Sequence, residues 1–507
     1  MAHAALKVRG EALRPVTMRE RPALERLVES LTKQEKEPFS ADEFNRFERE
    51  LGERVREVAR EALSRELAKA DVDVDCVLID GVEHRRVLRG TETYMTTMGP
   101  VKVERTLYKD RTDPDADAVA VLEQRLGIIG GFWMPEAAKQ AAWVVSQMTP
   151  ALSAELFSRV GTMRPSKSRL DRLPKEVDTR WEDDREAFER ELREVTEIPE
   201  ETKSIAVSLD GVLAPMKDGN APETRERAAA EGRLSKGPAG YREVGCATVS
   251  FCDEDGEMIS AIRMARMPET NKLSLKAMLI DELGSILAAR PDLLVVKLAD
   301  GAQDNWTFFD NAFSFGAEAI GFFHAAEQLG AALAAAYGDG SRQTRRRFED
   351  LRDVLLEKPD GAKQVIRALT YLRGKHPRTK RIADALEYFR TNRHRMNYFE
   401  LREMGMPIGS GAVEAACKTL VAQRMKQSGM RWGMRGGQAI LTIRGWTQSE
   451  RFDHAWAILA AKHRVEVTVL DNVRAFPSRK PARDYVSLRV TPCRHPAARS
   501  PRNLRNL

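Results

Sequence analysis

Two aspartates share one setting. Asp210 closes the apolar run of "SIAVSLDG" and Asp300 that of "DLLVVKLADG", each followed by glycine. Runs of this length read as buried strands, so each carboxylate is expected at a strand's carboxyl end, where the loops of a twisted sheet leave room for a ligand. Glu414 lies in "MPIGSGAVEAACK", among small residues that begin a helix capped by Ser410. Three carboxylates gathered at one edge repel one another unless cations neutralise them. Two Mg²⁺ ions, with Mn²⁺ as a substitute, are the expected answer. Held by Asp210, Asp300 and Glu414, they would activate water or a 3′-hydroxyl against a phosphodiester. Each acid also has a plainer account. Asp-Gly is a common turn, and Glu in a first helical turn complements the helix dipole. Asp304 rivals Asp300, and Asp218 is a weaker rival to Asp210.

Cations surround these acids. Lys418, one turn past Glu414, either holds a phosphate or forms an i,i+4 ion pair. Arg345 and Arg346, then Lys380 and Arg381, stand in a basic helical stretch before Glu414; Arg424, Lys426 and Arg431 follow it. Basic runs are usually solvated faces, but their clustering around one candidate site favours contact with a phosphate polymer. Trp306, Trp432 and Trp446 either stack on bases or fill the core, and core is the default. His324, in "FFHAAE", either supports the site or packs beside Phe322 and Phe323.

The elements that must position these groups follow from periodicity. Residues 1–39 are polar, weakly patterned and expected to be flexible. Residues 40–120 hold a long amphipathic helix, capped by Ser40, then a small antiparallel sheet with turns at Asp80-Gly81 and Gly99-Pro100. The helix stripe (Phe44, Phe47, Leu51, Val55, Val58, Ala62) is expected to pack on the chain's own domain rather than join two subunits. Residues 130–195 are helical. Within them 162–173, after Gly161, has the look of a recognition helix that ends at Pro174. Ser166, Lys167 and Arg169 face outward there, and Leu170 and Leu173 inward. The segment either contacts DNA or completes a structural bundle. Residues 200–465 alternate strands and helices, as a mixed α/β sheet domain does, with a helical insertion over about 339–400. The basic, Pro-rich tail 466–507 is expected to be disordered.

Composition narrows the class. The 507 residues carry 31% charged side chains and a net charge of +6. Five cysteines (76, 246, 252, 417, 493) show no CxxC pair, which speaks against a zinc ribbon or a disulfide framework and for a reducing cytoplasm. No run is apolar for the roughly 20 residues a membrane span needs.

Several stretches carry a family resemblance: "VSLDGVLAPMKDG", "GPAGYREVGCATVSF", "VVKLADGAQDNW", "FFHAAEQL", "LEYFRTNRHRMNY" and "PIGSGAVEAACKTLVAQRMKQSGMRW", with "TYMTTMGPVKVERTLY" and "RPSKSRLDRLP" upstream. In this order, over about residues 50–465, the chain resembles the ISKra4 insertion-sequence transposases. The resemblance implies a DDE enzyme with an RNase H-like core, Asp210, Asp300 and Glu414 as its triad, and Mg²⁺ as its metal. Double-stranded DNA would be the partner, both element ends and target, bound by a homodimer or higher oligomer at the nucleoid. One departure stands out: the family carries an Asp three residues before its His, where this chain has Gly321. Two other classes remain open, a domesticated DNA-binding derivative that does not cut and an RNase H-like nuclease or resolvase.

Overall fold

The structure, a computed structural model, describes residues 22–32, 40–113, 115–217, 226, 229–230, 232 and 240–469. It is mixed α/β, with two five-stranded sheets set among helices. Asp218, the rest of 1–39 and the tail beyond 469 lie outside the described residues.

Within the stretch expected to be flexible, Pro22–Thr32 is a helix. Its Ala23 is buried and donates its N–H to Glu61 at 2.9 Å. The long helix Ala41–Ala68 begins as its sequence implies. Ser40 Oγ accepts from the Glu43 N–H, and Glu43 Oε2 accepts from the Ser40 N–H, so two orphan donors are satisfied. Its apolar stripe packs on the chain's own domain only in part: Leu63 and Leu67 lie against Val101 and Val103 of the strand Gly99–Asp110, and Ser64 Oγ donates to the Lys102 carbonyl at 2.7 Å, while the start of the stripe is more open. Phe44 is 54% exposed and Val55 50%, and only Leu67, at the far end, is fully buried. The helix is met by Pro22–Thr32 over one stretch, where Arg26 pairs with Glu57 at 3.6 Å, and by the first antiparallel sheet over the next.

That sheet contains β1 (Cys76–Ile79), β2 (Val82–Thr96), β3 (Gly99–Asp110) and β4 (Val119–Ala120), all antiparallel. Asp80 and Gly81 turn the first hairpin with φ of 50° and 76°, the positive pair that a two-residue loop between twisted strands requires. In the second hairpin the turn falls on Thr97 and Met98, because Thr96 pairs with Gly99; Gly99-Pro100 begins β3 instead.

Helices Pro135–Gln147, Pro150–Val160 and Lys167–Asp183 follow. The last runs through Pro174 rather than ending there. An interior proline costs a helix about 3 kcal/mol. Here burial of Leu170, Leu173, Val177 and Trp181 outweighs that, since each large apolar side chain contributes about 1.5–3 kcal/mol. These side chains share a core with Ile440, Ile443 and Trp446 of helix Met434–Gln448, so the helical region is clamped to the chain's C-terminal helices.

The second sheet comprises β5 (Ser204–Pro215), β6 (Tyr241–Cys252), β7 (Met258–Arg266), β8 (Leu294–Ala299) and β9 (Ala317–Ile320), in the order β7-β6-β5-β8-β9. β7, β6 and β5 form an antiparallel meander, while β8 and β9 run parallel to β5. Helices Leu273–Ala289 and Phe322–Tyr337 bury their apolar faces against it. The inserted helices Arg342–Glu357, Gly361–Lys375 and Lys380–Asn392 add Leu355, Val365, Leu369, Ile382 and Phe389 to the same core. A short strand, β10 (Val467–Val469), pairs with β1, so the segment expected to be tail begins as the edge of the first sheet.

Candidate active site

Asp210 stands inside β5, not at its end, opposite Cys246 of β6. The strand continues because β6 pairs with it as far as Pro215, whereas the parallel ladder to β8 stops at Ser208 and Leu298. Beyond that point the two strands part. Asp210, still within β5, and Asp300, just beyond the end of β8, each lie two residues past the last rung, near enough for the charge of one to act on the other. Burial pushes the Asp210 carboxyl above the usual aspartate range; the Gly211 N–H opposes this and the charge of Asp300 adds to it.

Both aspartates are held. Asp210 Oδ1 accepts from the Gly211 N–H at 2.7 Å, and Oδ2 from the Cys417 thiol at 3.6 Å. Asp300 Oδ1 accepts from the Ala302 N–H at 3.0 Å and from Asn305 Nδ2 at 3.2 Å. Asn305, nearly buried, also donates to the Leu209 carbonyl at 3.2 Å and so stitches β5 to the Asp300 turn. Trp306 Nε1 donates to the Asp300 carbonyl at 2.7 Å, under the Arg395 guanidinium 3.9 Å from its ring. Gly301 is needed for a close approach, because a Cβ there would collide with the Tyr388 ring from the inserted helices. Asp304, the rival, is exposed in the first turn of helix Gln303–Ala312.

Glu414 sits on the short helix Gly411–Ala416, which runs on as a π-helical turn, Cys417–Ala422. Single π turns often mark functional segments. Ser410 makes no cap bond, contrary to expectation; its hydroxyl donates to Glu414 Oε1 at 2.6 Å. His324 Nε2 lies 3.4 Å from the same oxygen, with 32% of its side chain exposed, so it addresses Glu414 rather than the core. Lys418 is exposed and forms no ion pair with Glu414 among the described residues. Gly321 has a steric role: a Cβ there would overlap Ser410 Oγ. The Phe322 N–H donates to the Ile408 carbonyl at 2.9 Å and ties the Ser410 loop to the end of β9.

Asp210 and Asp300 are thus brought together, and Cys417 ties the Glu414 helix to Asp210. Glu414 itself turns to Ser410 and His324. Among the described residues no three His, Cys, Asp or Glu side chains are arranged to hold a metal ion. Two hard carboxylates on diverging strands fit Mg²⁺ or Mn²⁺ in donor chemistry. The third has its Oε1 engaged by Ser410 and His324. Cys417 and Asn305 escaped sequence reasoning, since nothing in the spacing marks either as a partner of an aspartate.

The basic residues divide. Ser166, Lys167, Arg345, Arg346, Lys380, Arg381, Lys426 and Arg431 are exposed. Ser166 also caps its helix, accepting from the Arg169 N–H, and Arg169 lies 4.2 Å over the Phe132 ring. Arg424 is not a surface cation. It is 2% exposed, donates to the Val145 carbonyl and lies 5.0 Å from the Trp432 ring. Burial lowers its pKa to about 10. Trp306 and Trp446 are core residues.

The chain matches no protein-family model and no curated protein. No helix among the described residues is long and apolar enough to cross a membrane.

Proposed function

We propose that this chain is a DNA transposase of the ISKra4 type, which binds the ends of a mobile element, cuts them and joins them to target DNA. The observation that carries the reading is the placement of Asp210 and Asp300 where β5 and β8 diverge, with the Glu414 helix fastened beside them through Cys417. The sheet order, a three-stranded antiparallel meander followed by two parallel strands, is the one an RNase H-like core requires and supports the same reading as fold-level analogy.

In this reading Asp210, Asp300 and Glu414 hold Mg²⁺, which supplies the polarisation that makes water or a 3′-hydroxyl attack a phosphodiester. The chain's own residues do the rest. The Gly211 amide and the Cys417 thiol fix the direction of the Asp210 carboxylate, and Asn305 fixes that of Asp300. Glu414 exchanges Ser410 and His324 for the shared site. The exposed cations of the inserted helices and of the segment after Glu414 meet the phosphates of double-stranded DNA, and two or more copies bridge paired ends. The site of action would be the bacterial cytoplasm, at the nucleoid.

The test is cleavage and strand transfer on DNA carrying the element's own ends, with Mg²⁺, comparing wild type with Asp300→Asn. Metal-dependent cutting and joining, lost in the variant, is the expected result. Cutting that survives Asp300→Asn would remove the assigned site. End-specific binding without cutting in any divalent metal would favour the non-cleaving derivative, to which the parked Glu414 and Gly321 point. Cutting without joining would favour the nuclease or resolvase.

A further inference from the structure

A lysine outside the expected cation set stands at the edge beside Asp210. Between β7 and helix Leu273–Ala289, Asn271 and Lys272 both adopt a φ of 53°. Two successive left-handed residues with β-carbons are unusual, and such strain persists only where surrounding structure enforces it. The turn sends Lys272 Nζ to 3.4 Å from the Asp210 carbonyl and 2.8 Å from Glu243 Oε1 on β6.

Room for this pair is made by two glycines. Gly211 and Gly245 face each other across β5 and β6. A Cβ on Gly211 would overlap the Glu243 carboxylate, and one on Gly245 would press on Leu275 and on the Lys272 stem. The strands therefore give up side chains on both sides of one rung, next to Asp210, and the ion pair lies in the slot. The Lys272 side chain is 22% exposed and that of Glu243 42%, so solvent, and a ligand, reach them. A half-exposed ion pair stabilises a fold little. Gly245 also makes room for the buried Leu275, but the strained turn and the β-carbon given up at Gly211 serve the ion pair itself.

We propose that Lys272 is a phosphate-binding residue that grips the DNA phosphodiester entering beside Asp210, with Glu243 as the counter-ion that holds it ready until DNA arrives. An ammonium is a compact point charge suited to one phosphate oxygen. On binding, that oxygen replaces the Glu243 carboxylate as acceptor, and no covalent bond changes. The inference rests on the transposase reading and adds to it a substrate contact that no motif indicated.

The experiment measures affinity for end-containing DNA against KCl concentration, together with Mg²⁺-dependent cleavage. It uses wild type, Lys272→Gln, Lys272→Arg, Glu243→Gln and the double variant E243Q/K272Q. Loss of one phosphate contact lowers the slope of log affinity against log salt by about 0.9. Lys272→Gln is expected to show that loss and a cleavage rate down about 10²-fold, whereas Lys272→Arg keeps the slope. Glu243→Gln tightens binding when Lys272 is present and not when it is Gln. If wild type cuts, Asp300→Asn does not, and Lys272→Gln matches wild type in slope and rate, this inference falls and the functional reading stands. A lowered melting temperature with an unchanged slope would make Lys272 a structural pin and overturn it. If wild type neither binds nor cuts DNA, the functional reading falls and takes this inference with it.

Discussion

Asp210 is laddered to β6 and Asp300 follows the end of β8, and each carboxylate has two donors fixed by neighbouring backbone or buried side chains. Glu414 lies on six residues of helix that pass into a π turn, with 43% of its side chain exposed and one oxygen shared between Ser410 and His324. In the proposed site one half would be set during folding and the other held in reserve. Two aspartates this near repel, and the fold tolerates that pair. Bringing a third carboxylate in without cations would add to the repulsion, so a parked Glu414 is the lower-energy state of the free protein.

The largest expected effect separates chemistry from stability. Asp300→Asn and Glu414→Gln should each lower cleavage by about 10³-fold or more, roughly 4 kcal/mol. Glu414→Gln should leave the melting temperature where it was. A cleavage rate indifferent to Glu414→Gln would end the idea of a reserve half. Next, Leu209→Ala, in the fully buried strand beside Asp210, should cost about 3 kcal/mol in denaturant unfolding. Ala412→Gly, beside Glu414, should cost about 1 kcal/mol. Equal costs would mean the two halves are equally rigid.

The clamp behind the Glu414 segment gives the contrast a pH signature. Burial raises Glu189 to about 7 and Asp178, bonded to Thr442 at 2.7 Å, to about 6. A carboxyl with a raised folded pKa makes the folded state bind more protons. Stability is therefore greatest below the unfolded value and is lost as pH rises through the folded one. Melting temperature should fall between about pH 4 and 7, by several kcal/mol in stability for the two groups together, and Glu189→Gln should flatten the upper part of that fall. The smallest effect tests the parking itself. Ser410→Ala removes one bond to Glu414, worth about 1 kcal/mol, and should raise the cleavage rate a few-fold at limiting Mg²⁺. A decrease would assign Ser410 to the working site instead.

Local chemistry made part of this legible. The Ser40 cap and the Asp80-Gly81 turn depend on residues within four positions, and both formed as read. The strands bearing Asp210 and Asp300 announced themselves by apolar length. Gly211 misled, because an Asp-Gly pair turns only where no partner strand continues the ladder, and β6 continues it. The thiol on Asp210 comes from 207 residues away and the amide on Leu209 from 96; no spacing in one chain encodes such meetings. Arg424 looked like its basic neighbours, yet the cover that buries it belongs to Trp432 and to Val145 of a distant helix. Pro174 looked like a stop, and packing overruled it.

The pairing of β10 with β1, Val77 opposite Val469, has a mechanical consequence. The first sheet is fastened to the rest of the molecule by the covalent path through residues 121–203, by Met95 packed into the helical core beside Trp133, and by a strand returning from the far side. A single tether acts as a swivel; a buckle transmits torque. Load applied to the first sheet would reach the Asp210 edge through one attachment and the helices behind Glu414 through another. Cutting the chain after Lys462 would remove the buckle, leave β1 as an open edge and throw the load onto the contacts of Met95 and the covalent path.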